Sequence, residues 1–108
     1  MADEICPIAE AAKLLGDKWT LIILRDLASG PRRFKELEQS CEGISPSILA
    51  SRLRQLEEQG LLTRTSYHEI PPRVEYALSP KGQAAQPVIE ALRAYGERWL
   101  TLVAEKAR

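Results

Sequence analysis

The chain has 108 residues, 44% of them hydrophobic and 28% charged, a balance suited to one globular domain with a modest core. Its 15 basic and 15 acidic side chains cancel at neutral pH, so bulk charge gives no reason to expect nucleic-acid or membrane binding. The opening MADEICPIAE is acidic and lacks the apolar run of a secretion signal, and WTLIIL is too short to cross a bilayer. Two cysteines, Cys6 and Cys41, are too few for a secreted disulfide framework, so the expected compartment is a reducing cytoplasm.

No repeat, low-complexity tract or linker divides the chain, which reads as a single domain over residues 1–108. Pro7 suits the first turn of a helix, where the donor it lacks would be unpaired anyway; this helix, PIAEAAKLL, should stop at Gly16. A second helix restarts with Asp17 as its N-cap and runs toward Gly30. Trp19, Ile22, Ile23 and Leu27 recur on it at helical spacing, which predicts the central core helix. SGPRR is a turn, and Phe34, Leu37 and Cys41 then mark a short third helix. Ser45 and Pro46 open a fourth, with Leu49, Leu53 and Leu56 inward and Gly60 as C-cap. Two alternating runs, Leu62 to Tyr67 and Arg73 to Leu78, flank a proline-bearing tip and predict a β-hairpin. Ser79 and Pro80 cap a last long helix that Pro87 should bend or break.

The expected class is therefore α+β, mostly helical: a winged helix-turn-helix domain with a C-terminal dimerisation helix. The helix-turn-helix falls at about 34–59, the wing at about 61–78 and the final helix at about 80–104.

The fourth helix has an unusual outer face. From Gly43 to Leu56 it carries no acid, whereas a solvated helix normally interleaves both charges. With the leucines inward, Ser47, Ser51 and Arg54 lie opposite, flanked by Ile48, Ala50 and Gln55. Arg52 sits nearer the core boundary, from which its long side chain can curl toward a phosphate. Short side chains, hydroxyls and arginine without carboxylates are what a helix needs to approach base edges in the major groove, and its N-terminus, at Ser45, favours an anion. Arg32, Arg33 and Lys35 precede it where a first helix would cross the sugar-phosphate backbone. His68 and Arg73 bracket the stiff hairpin tip, and an arginine there suits a narrow minor groove. The plain alternative is that these are ordinary surface cations on a helix that only packs.

The segment from Cys6 to Gly82 resembles the HxlR-type winged helix-turn-helix transcription regulators, relatives of the MarR regulators. GDKWTLIILRDLASGPRRF, GISPSILASRLRQLEEQGLL and PPRVEYALSPKG carry the likeness most specifically. The resemblance implies a prokaryotic homodimer that binds double-stranded operator DNA, with residues 46–59 as recognition helix and the loop from Tyr67 to Val74 as wing. It also implies a sensing role for the cysteine before Pro7, because family members detect quinones, aldehydes or oxidants there.

Val88, Leu92, Tyr95, Trp99 and Leu102 alternate spacings of four and three, the seam of a helix that pairs with another. They serve either a two-fold dimer or the chain's own core. Cys6 sits at the first helix's N-cap, where backbone donors favour a thiolate and Asp3 and Glu4 oppose it. Cys41 is either a small buried hydrophobe or the partner of Cys6 from the other subunit on oxidation.

Catalysis is not expected. The single histidine has no nucleophile predictably beside it, no glycine-rich phosphate loop follows a strand, and Cys6, Cys41 and His68 have no metal-ligand spacing. No cofactor is implied. Two rivals stay open: a regulator that responds to a small molecule, bound near Trp19, Tyr95 and Trp99, without cysteine chemistry, and a winged helix used for protein contacts.

Overall fold

The computed structural model describes residues 5–100. Helix α1 spans Pro7–Leu15 with Cys6 as N-cap, and it ends where the Gly16 N–H donates to the Ala12 carbonyl at 2.7 Å. Asp17 immediately caps α2, Lys18–Leu27, its carboxylate accepting the Thr20 N–H at 3.0 Å. A terminator and an initiator in adjacent positions make a sharp corner between the two helices.

Helix α2 is central, as its pattern predicts, but its buried stripe is Thr20, Ile23, Leu24 and Leu27. Trp19 and Ile22 pack against the core only in part. The stripe is rotated because α2 is covered from several sides, by α3, α4, the sheet and the last helix.

The turn after α2 holds a feature the sequence pattern does not carry. Arg32 pairs with Tyr76 through two backbone hydrogen bonds of 2.9 and 2.8 Å, adding a one-residue strand to the sheet edge. A single bridging residue has no alternation to detect.

Helix α3, Phe34–Ser40, is started by the Glu36 carboxylate accepting the Arg33 N–H at 2.8 Å. Helix α4, Pro46–Glu58, starts with the Ser45 hydroxyl accepting the Ile48 N–H at 3.2 Å. Leu49, Leu53 and Leu56 are at most 2% exposed, so the leucine face is hidden. Gln59 is the C-cap, and Gly60, expected in that place, follows it at φ +80°, a left-handed conformation glycine adopts without strain.

Strands β1, Leu62–Tyr67, and β2, Arg73–Leu78, match the predicted runs and pair antiparallel from Leu62 with Leu78 to Tyr67 with Arg73. The last helix breaks earlier than a bend at Pro87 would require. Helix α5 is a single turn, Pro80–Gln83, and α6 runs Gln86–Trp99 with Pro87 in its first turn, where no donor is lost. Gln86 anchors the start of α6 by donating to the Leu24 carbonyl at 3.2 Å.

One core collects α2, α3, α4, β1 and the inner side of α6 through Ile89. Gly82 lets α5 lie against the strand entry: a Cβ there would collide with the Leu61 carbonyl oxygen and approach Leu78 Cδ2 to 3.1 Å. Gly82→Ala is expected to cost about 1–3 kcal/mol, read as a lower urea midpoint. An unchanged midpoint would contradict this packing.

Candidate nucleic-acid interface

The side of α4 opposite its leucines faces solvent. Ser47, Arg54 and Gln55 are exposed, Ile48 is 38% exposed, and Ser51 and Ala50 are half-buried. Ser45, besides capping the helix, lies 3.4 Å from the Ser47 hydroxyl. The first acids on the helix are Glu57 and Glu58, at its C-terminal end. The wing lies on the same side, because Arg54 and Glu57 of α4 share a cleft of about 320 Å³ with Arg64 and Tyr76 of the sheet.

Tertiary contacts sort the arginines in a way sequence spacing could not. Arg52 is not presented outward. Its Nε and Nη2 donate to the two Asp17 carboxylate oxygens at 2.9 and 3.1 Å, joining α4 to the α1–α2 corner. That bond holds the Asp17 carboxyl below its ordinary value, with the Thr20 N–H assisting and burial opposing, and it raises the Arg52 guanidinium in turn. The expected phosphate contact is thus replaced by a bidentate internal clamp, a geometry the arginine fork favours.

Arg73 is also engaged. It bonds Glu69 at 3.0 Å and Glu75 at 3.2 Å and stacks over the Tyr67 ring at 4.1 Å. It braces the wing rather than extending from it, and the loop tip instead shows His68 and a fully exposed Ile70. Arg32 is half-buried beside the sheet, donating to the Ser29 hydroxyl at 3.0 Å. Arg33 and Lys35 are exposed at the start of α3 and have no ion pair among the described residues. Arg64 of β1 likewise has no ion pair among the described residues, and nothing in LTRTSY sets it apart from any other strand cation.

The two cysteines differ sharply. Cys6 is exposed, whereas Cys41 is fully buried. Burial first, and the neighbouring Asp26 carboxylate second, push the Cys41 thiol up to about 11. Its sulfur lies 3.5 Å from an Asp26 oxygen that also accepts from Ser40 at 2.6 Å. Cys41 therefore behaves as the buried packing residue in this conformation.

On α6, Ile89 alone is buried, while Val88, Leu92, Tyr95 and Trp99 are 44%, 48%, 59% and 64% exposed. Leu102 lies outside the described residues. Helix α1 buries no residue, and Ile5 and Ile8 are 69% and 80% exposed. Trp19 packs partly into the core and lies under Lys18, so it does not share the exposure of Tyr95 and Trp99. No group of three or more His, Cys, Asp or Glu able to hold a metal occurs among the described residues, and none of their helices is long and apolar enough to cross a membrane.

A helix pair whose second member is hidden on one side and open on the other, followed by a two-stranded wing, is the architecture of a winged helix-turn-helix domain, the class to which transcriptional regulators of this kind belong. The HxlR-like helix-turn-helix family matches residues 14–104, and the chain belongs to it. An HTH-type transcriptional regulator of Synechocystis is 46% identical over 96 residues, covering 89% of this chain and 71% of the relative. A solved MarR-family regulator from Porphyromonas gingivalis superposes with a TM-score of 0.86 at 35% identity, covering 93% of this chain and 98% of the other. The redox regulator HypR in its oxidised form superposes with a TM-score of 0.84 at 32% identity, covering 90% and 100%.

The Asp17–Arg52 clamp has a defined pH signature. A lowered carboxyl contributes stability that is complete above the ordinary value of 3.8 and is lost as pH falls through the folded value. Asp17→Asn keeps the cap but removes the charge, so at pH 7 it should cost about 0.5–1 kcal/mol, discounted for partial exposure. The difference from wild type should hold at neutral pH and shrink progressively as pH is lowered below 3.8. A gap in denaturation that stays the same size as pH falls would refute the charge role.

Proposed function

We propose that the chain acts as a homodimer that binds operator DNA in a sequence-selective way and answers oxidants or electrophiles through Cys6. The observation that carries the DNA reading is the exposed, acid-free face of α4 around Ser47, Ser51 and Arg54, set opposite three hidden leucines. In this reading α4 enters the major groove, with Arg54 and Gln55 addressing base edges and Ser45, Ser47 and Ser51 permitting close approach. Arg33 and Lys35 sit over phosphates, and Arg32 supports them from the sheet edge. The wing tip, with His68, covers the neighbouring minor groove.

One α4 reads only a few base pairs, and a two-fold pair presents two of them roughly 34 Å apart. The exposed row Val88, Leu92, Tyr95 and Trp99, with Ile5 just before α1 and Ile8 on it, supports pairing through α6 and α1. The continuation of this seam, Leu102, belongs to the same proposal.

Arg54→Ala is expected to reduce the preference for operator over unrelated DNA by about 1–3 kcal/mol, whereas Arg33→Ala should weaken both about equally. Gel shifts on DNA from upstream of its own gene, over a salt series, measure both. Equal effects from the two substitutions would contradict the groove assignment, and the absence of any sequence-selective shift would favour a protein-contact module.

The sensing reading rests on the contrast between an exposed Cys6 and a protected Cys41, and on the likeness to a redox regulator. Cys6 reacts first. With diamide as two-electron acceptor, the Cys6 thiol and the thiol of Cys41 of the partner subunit are oxidised to one disulfide, which requires the α3–α4 turn to open. Non-reducing electrophoresis should show a linked dimer that Cys6→Ser and Cys41→Ser each abolish. A monomeric band with DNA binding unchanged would remove the redox proposal and favour a regulator that answers a small molecule without cysteine chemistry.

A further inference from the structure

Arg64 stands in a row that only the folded sheet creates. It lies opposite Tyr76 in the β1–β2 register, and Tyr76 is bridged on its other edge to Arg32. Directly opposed residues of antiparallel strands place their side chains on one face, so Arg32, Tyr76 and Arg64 share a face of the sheet. That face turns toward α4: Tyr76 and Arg64 line the cleft of about 320 Å³ whose other wall is Ala50, Leu53, Arg54 and Glu57.

Arg25, Arg52, Arg73 and Arg93 are each bonded to a carboxylate, whereas Arg54 and Arg64 have no ion pair among the described residues. In a chain with 15 acids for 15 bases, this cleft sets two guanidiniums that have no ion pair among the described residues against a single carboxylate, Glu57, an excess of positive charge that favours a further anion. The DNA reading supplies one. With α4 in a major groove and the wing over the adjacent minor groove, the sugar-phosphate strand dividing those grooves must pass between α4 and the sheet.

We propose that this cleft is a seat for one backbone phosphodiester, gripped from the sheet side by Arg64, while Arg54 on the helix side reaches past it to the base edge. The proposal rests on the DNA reading above and adds to it a residue and a contact. Ala50 offers no side chain beyond its Cβ, which lets the strand approach closely. Glu57 is one helical turn beyond Leu53 and Arg54, so it makes the cleft asymmetric and sets the seat at the Ala50–Arg54 end.

The test compares wild type with Arg64→Gln and Arg64→Lys on a duplex from its own upstream region and on an unrelated duplex of equal length. Arg64→Gln should lower affinity for both about tenfold at low salt and reduce the slope of log K against log salt by about one. Arg64→Lys, keeping the charge but not the fork, should retain the slope and lose less affinity. Replacing single phosphates by uncharged methylphosphonates should reveal one position that weakens wild type but not Arg64→Gln. A wild-type slope in Arg64→Gln, or additive losses at every phosphate, overturns the seat alone. Wild type that shifts neither duplex at any salt overturns the DNA reading and the seat together. Because Arg64 is exposed and unpaired, thermal denaturation of both variants should coincide with wild type; if it does not, the methylphosphonate comparison still decides, since it reads one phosphate against one side chain.

Discussion

Burial of Leu49, Leu53 and Leu56 with Ile23, Leu24 and Leu27 fixes the rotation of α4 about its own axis, and every external property of the helix follows from that rotation. A helix has one angular freedom once its ends are placed, and three leucines at helical spacing remove it. Had the helix turned by half a revolution, Ser47 and Arg54 would enter the core at the heavy cost of desolvating an unpaired cation. The same burial brings the start of β1 inward through Leu61 and Leu62, so the wing's position is linked to the helix's orientation.

Charge in this chain is partitioned rather than accumulated. Overall neutrality hides a division between arginines held internally by carboxylates and arginines left open. Arg52 stiffens the junction of α4 with the α1–α2 corner, and Arg73 stiffens the hairpin through Glu69, Glu75 and Tyr67. Both contacts keep elements in register without adding to the outward potential. The exposed cations Arg33, Lys35, Arg54 and Arg64, at the start of α3 and on α4 and β1, have no ion pair among the described residues.

The two terminal helices show the opposite behaviour from the core. Helix α1 has no fully buried residue and packs on the core only through Leu14 and Leu15, and α6 fully buries Ile89 alone, leaving large apolar side chains in water. For so short a chain such an exposed area is a common mark of association. The Asp17–Arg52 clamp ties the corner where α1 meets α2 to the middle of α4. Cys41, at the end of α3, is buried with its sulfur 3.5 Å from Asp26.

Local signals in the sequence determined the element order, the caps at Asp17 and Ser45, both strands, the interruption near Pro87 and the inward leucines of α4. Each depends on residues within a few positions of one another: a hydroxyl or carboxylate bonding three residues on, a ring closing φ, an apolar repeat. The exposed seam of α6 was legible for the same reason. Which arginines remain free was decided by the tertiary structure alone, because the partners are remote. Asp17 and Arg52 are 35 positions apart, and the row Arg32, Tyr76, Arg64 exists only across three chain segments. Periodicity reports which side of an element is apolar, but it carries no information about which carboxylate another element will bring to a given cation.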